Sequence, residues 1–142
     1  MSSTEPNKKI TASFRVMGAQ LDPDEVSALL EIKPDQRHRR GDPHFGKGGR
    51  QYSDFSEGLW MFRSDSTTCG DIESHIENIT KRLNGRGDSI RRLLAAGLRA
   101  DIFVGVFGIV GNYGFSLRSD LVTAIGELGL EIGFDLYFYC VC

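Results

Sequence analysis

Between Asp101 and Val110 the residues Ile102, Val104 and Val106 alternate with Phe103, Gly105 and Phe107, so both parities of the segment are apolar. A strand with two apolar faces belongs inside a sheet, not on its rim. The chain must therefore supply strands to flank it and helices to cover it. Ile10, Ala12, Phe14 and Val16 alternate with Thr11, Ser13 and Arg15, the period of a strand with one buried face. Leu59 to Arg63 is a short apolar run with two aromatics and reads as a further strand. Ile132, Phe134, Leu136 and Phe138 alternate with Gly133, Asp135, Tyr137 and Tyr139 in a last one, with the first set expected under the helices.

Helices fall between these strands. Asp22-Pro23-Asp24-Glu25 offers an N-cap, a first-turn proline and early acids ahead of Val26, Leu29 and Leu30. Ile72, Ile76, Ile79 and Leu83 form a stripe at helical spacing. Asn84-Gly85-Arg86-Gly87 interrupts it, and Ile90, Leu93 and Leu94 give a second short helix or a kinked continuation ending at Gly97. Leu121, Val122, Ile125 and Leu128 make the last stripe. Each stripe is one-sided, which suits helices on a single sheet face. The expected fold is α+β, a mixed or antiparallel sheet of about four or more strands with helices mainly on one face, ferredoxin-like in spirit. A parallel-rich three-layer sandwich is the alternative.

The chain has 142 residues, 40% hydrophobic and 25% charged, which fits one ordinary globular domain. Residues 1–9 read as a disordered polar tail and 10–142 as a single domain with a basic, glycine-rich insertion at 34–58. A net charge of -2 removes any global attraction to nucleic acid or anionic lipid. Arg99 and Asp101 interrupt the longest apolar stretch, so no membrane span is expected. Met1 to Lys9 lacks an apolar signal core, and Cys69, Cys140 and Cys142 are an odd set without framework spacing. Reduced thiols in a cytoplasmic chain are the expectation.

Ile32-Lys33-Pro34-Asp35, His38-Arg39-Arg40-Gly41-Asp42, Gly58-Leu59-Trp60 and Phe134-Asp135-Leu136-Tyr137 carry a resemblance. Over roughly Ile10 to Tyr139 the chain is similar to the bacterial domain-of-unknown-function family numbered 4279. That family brings no activity, cofactor or catalytic residue with it. The resemblance implies a small bacterial protein in the style of accessory or immunity-type binders.

Two regions are candidates for function. The insertion gathers Arg37, His38, Arg39, Arg40, Lys47 and Arg50 against few acids, a local positive field suited to a small anion or an acidic protein surface. Solvated loop charges, partly paired with Asp35, Asp42 and Asp54, are the plainer reading of the same residues. The second region is the sheet face away from the helices, where Arg15, Asp135, Tyr137 and Tyr139 are expected, with Arg15 and Asp135 able to meet. Tyrosine on an uncovered face suits a contact surface, a homodimer included.

Enzyme signatures fail on inspection. Gly41 to Lys47 spells G-x-x-x-x-G-K, but Gly48 stands where a metal-binding hydroxyl is needed and no strand leads in. His38, His44 and His75 and the cysteines lack metal-ligand spacing, so neither metal nor cofactor is expected. No nucleophile elbow is present. His75, beside the Ile76 stripe and not on it, is expected at the surface or boundary. The resulting expectation is a non-enzymatic binding or immunity-type module. A small enzyme acting on an anionic metabolite, gripped by the arginines of the basic loop, is the alternative.

Overall fold

The backbone order is β1 (Lys9–Gly18), α1 (Pro23–Leu30), β2 (Gln36–His38), β3 (His44–Phe45), β4 (Gln51–Tyr52), β5 (Gly58–Arg63), α2 (Ile72–Arg82), α3 (Gly87–Ala95), β6 (Arg99–Ile109), α4 (Ser119–Glu127) and β7 (Glu131–Phe138). The structure is a computed structural model that describes residues 8–65 and 70–139. All three cysteines lie outside the described residues. Five strands form one sheet in the order β2-β5-β1-β6-β7, and β3 pairs with β4 in a separate hairpin. Every pair in the large sheet is antiparallel except β6 with β7. The fold is α+β with a mixed sheet, and its single parallel pair does not make the parallel-rich alternative.

β1 and β2 both run antiparallel to β5, which lies between them, so β1-α1-β2 is a split β-α-β unit. β6-α4-β7 is a second unit with its strands adjacent. β1 and β6 meet at the centre, as the doubly apolar sequence of β6 requires.

Local chemistry sets the helix starts. The Asp22 carboxylate accepts from the Asp24 N–H at 3.0 Å, with Pro23 at the first helical position. Asp71 does the same for Ser74 at the start of α2. The Asn84–Gly87 break yields a separate α3, not a kinked continuation.

One parity of the strands carries the core. Ala12, Phe14 and Val16 on β1, Trp60 and Phe62 on β5, and Ile102, Val104 and Val106 on β6 are buried together with Val26, Leu30, Ile72, Ile76, Ile79, Leu83, Ile90, Leu121 and Ile125 of the helices. The helices therefore cover one face, as their one-sided stripes demand.

Three local expectations need correction. The region after Asp35 contributes a strand, β2, to the edge of the main sheet. β1 begins at Lys9, inside the segment expected to be tail. Phe138, expected under the helices, is 60% exposed: it is the last residue of β7, which forms the edge of the sheet.

Candidate functional site

The helix-free face is set out by the ladder register. Arg15 on β1 lies opposite Asp101 on β6, whereas Asp135 on β7 lies opposite Gly105, further along β6. Arg15 consequently pairs with Asp101 and not with Asp135: Nε donates to Oδ1 at 2.9 Å and Nη2 to Oδ2 at 2.7 Å. That bidentate bond raises the arginine's pKa above its ordinary value. The guanidinium also covers the Phe103 ring at 4.4 Å.

Two glycines lower the floor beneath the aromatics. A Cβ at Gly105 would sit 3.1 Å from the Phe107 ring and 3.1 Å from Thr11 Oγ1, so glycine lets that ring lie down on the sheet without displacement. A Cβ at Gly133 would touch the Phe103 ring at 3.7 Å. Phe107 then stacks on Tyr137 with centroids 4.6 Å apart and planes 6° apart. These rings stay 40% and 46% exposed. The Tyr137 hydroxyl donates to Asp135, and this bond raises the tyrosine's pKa. Tyr139 lies just past β7, exposed, with its N–H donating to the Ile109 carbonyl at 2.6 Å.

The basic insertion is divided. Arg37 and Arg39 turn toward α1: Arg37 Nη1 donates to Asp24 Oδ1 at 2.6 Å, and Arg39 bridges Asp22 at 2.9 Å and Asp24 at 3.0 Å. Their guanidinium partners are the acids that start α1, while Asp42 accepts from the Arg39 backbone N–H at 2.7 Å. Arg40 and Lys47 are exposed, and Arg50 lies 5.3 Å over the Tyr52 ring. The insertion's hidden order is a column of rings. His38 stacks on Phe55 at 3.5 Å, Phe55 on His44 at 4.3 Å, and His44 meets Tyr52 at 5.0 Å. Arg37, His38 and Arg39 line one shallow cleft together with Asp24 and Asp42.

His75 is buried, 8% exposed, and Ser64 at the end of β5 lies against it with Oγ 2.7 Å from Nδ1. Among the described residues no group of three or more His, Cys, Asp or Glu gathers at metal-binding distance. No helix among them is long and apolar enough to cross a membrane.

Both His38 and His75 have pKa values lowered from the ordinary 6.5, first by desolvation. A lowered imidazole contributes stability that is fully present above 6.5 and lost as pH falls through the folded value. The urea midpoint should accordingly drop between pH 7.5 and 5, and a His38→Gln, His75→Gln double variant should flatten that slope. A midpoint that rises on acidification refutes the assignment.

The fold and site define a class: an α+β chain with helices on one sheet face and an aromatic, partly ion-paired surface on the other. Its residues 8–139 match the family described as "Domain of unknown function (DUF4279)", and the chain belongs to that family. No curated protein and no solved structure shows significant similarity to it.

Proposed function

We propose that the chain is a non-enzymatic binding module that docks a partner protein through the helix-free face of its sheet. The observation that carries this reading is the stacked Phe107–Tyr137 pair, half exposed on a floor lowered by Gly105. Exposed aromatics on a rigid sheet lose little entropy on contact and dominate the energy of protein interfaces. Arg15 and Asp101 satisfy each other, so the rings, with the Asp135 and Glu131 carboxylates of the same face, are left for a partner. The partner's contribution is then an apolar or aromatic anchor with a cation nearby.

A tyrosine side-chain mimic, 4-methylphenol, tests the surface directly. At millimolar concentration it should shift the amide resonances of Phe103, Gly105, Phe107, Asp135 and Tyr137, and Phe107→Ala should abolish the effect. Shifts gathered instead in the cleft of about 570 Å³ between α1 and β2, lined by Ser27, Ile32 and Pro34, would overturn the reading.

A further inference from the structure

We infer that the partner engages the outer edge of β7 as an added, extended strand with basic residues on one face and apolar residues on the other. This rests on the binding reading above and names the form its partner takes.

β7 ends the sheet, and among the described residues its outward N–H and C=O groups have no ladder partner. Among the described residues no backbone group outside β6 bonds to Glu131–Phe138. None of the eight strand residues is buried; Ile132, Phe134 and Leu136, whose parity matches the core, remain half-buried, with the partly exposed Phe115 ring 5.0 Å from that of Phe134. The opposite edge of the sheet, β2, is only three residues long, too short to hold a second strand firmly. Natural edge strands are usually blunted by lysine, proline, a bulge or brevity. Within Glu-Ile-Gly-Phe-Asp-Leu-Tyr-Phe, β7 has neither lysine nor proline, and the register shift falls only at its last residue.

The charges select the occupant. Glu131 and Asp135 share the helix-free face and form no ion pair with any described cation. A second copy paired through β7 would gather four carboxylates on one face, which opposes self-association there. An incoming strand with cations four residues apart meets both acids, while its alternate residues cover Ile132, Phe134 and Leu136. The same strand lies beside Tyr137 and so extends the aromatic surface.

The probe is the capped peptide Lys-Val-Thr-Val-Lys-Val-Thr, titrated into isotope-labelled protein at low salt. Shifts should concentrate in Glu131–Phe138. Replacing both lysines by glutamate should weaken binding about tenfold, and N-methylation of alternate peptide bonds should abolish it. Asp135→Lys should reverse the charge preference, and Glu131→Lys gives a second route to that result if Asp135→Lys unfolds. Equal binding of the acidic peptide, tolerance of N-methylation, shifts elsewhere, or a stable dimer of the free chain that buries β7 would each overturn the inference. If the peptide fails while 4-methylphenol still collects at Phe107 and Tyr137, only the strand is refuted; if neither binds, the binding reading falls as well.

Discussion

Replacing Trp60 with alanine should destabilise the protein by about 3–5 kcal/mol, the range for deleting a large buried aromatic. Trp60 is fully buried and meets Phe14 edge-on at 6.1 Å and Phe62 at 6.0 Å, with Phe14 and Phe62 themselves 5.6 Å apart. Its Nε1–H donates to Ser27 Oγ at 2.9 Å. One side chain thus ties β1, β5 and α1 together, and its loss opens a cavity where three elements meet. Ser27→Ala isolates the polar part, since it strands a buried indole N–H at a cost of about 1–3 kcal/mol. Urea unfolding measures both. Because Trp60 is the only tryptophan, its emission reports the same site in the wild type. An exposed-indole emission maximum in the folded protein, or a Trp60→Ala loss under about 1.5 kcal/mol, would contradict this account of the core.

Parts of the chain with a clean period were legible. β1, β6 and α2 follow from their apolar spacing, and the shared parity of Phe14, Trp60 and Val104 places the helices on one face. β2 was not legible, because Gln36-Arg37-His38 is a polar edge strand without an apolar alternation. Its Arg37 finds Asp24 thirteen residues away in sequence, and a helix-start signal does not reveal that its acids also neutralise arginines of the next loop. His75 sits one residue from an apolar stripe, yet it is buried with Ser64 against its ring, a long-range contact that the spacing does not reveal. The uncovered face was legible in outline, through Arg15, Asp135 and Tyr137. Its chemistry depends on register: opposite Asp101 the arginine is satisfied, and opposite Phe107 the tyrosine stacks. Strand periods carry parity but no register, so neither contact could be read from spacing. Phe103 and Phe107 were assigned as strand residues, and their place in the site became visible only with the glycines beneath them.

Register also decides what one added methyl group does, and the same substitution should have opposite signs at two glycines. Gly18 and Gly58 face each other in the β1–β5 ladder, where the chain turns from β1 toward α1. A Cβ on Gly58 would lie 2.9 Å from Leu21 Cβ and 3.2 Å from the Gly18 carbonyl oxygen. Neither neighbour is the free end of a flexible chain: Leu21 is buried, and its N–H is bonded to that same carbonyl at 3.3 Å. Relief therefore requires the β1–α1 turn to move. Gly58→Ala should cost about 1–3 kcal/mol through overpacking, more than the roughly 0.4–1 kcal/mol gained by stiffening the unfolded chain. Gly126 lies within α4, and a Cβ there would meet nothing within 4 Å. Gly126→Ala should stabilise by about 0.5–1 kcal/mol, the difference in helix propensity. Urea midpoints of the two variants, measured side by side, should move in opposite directions; a Gly58→Ala midpoint at or above the wild type would mean that the close approach of the β1–α1 turn to β5 is wrong.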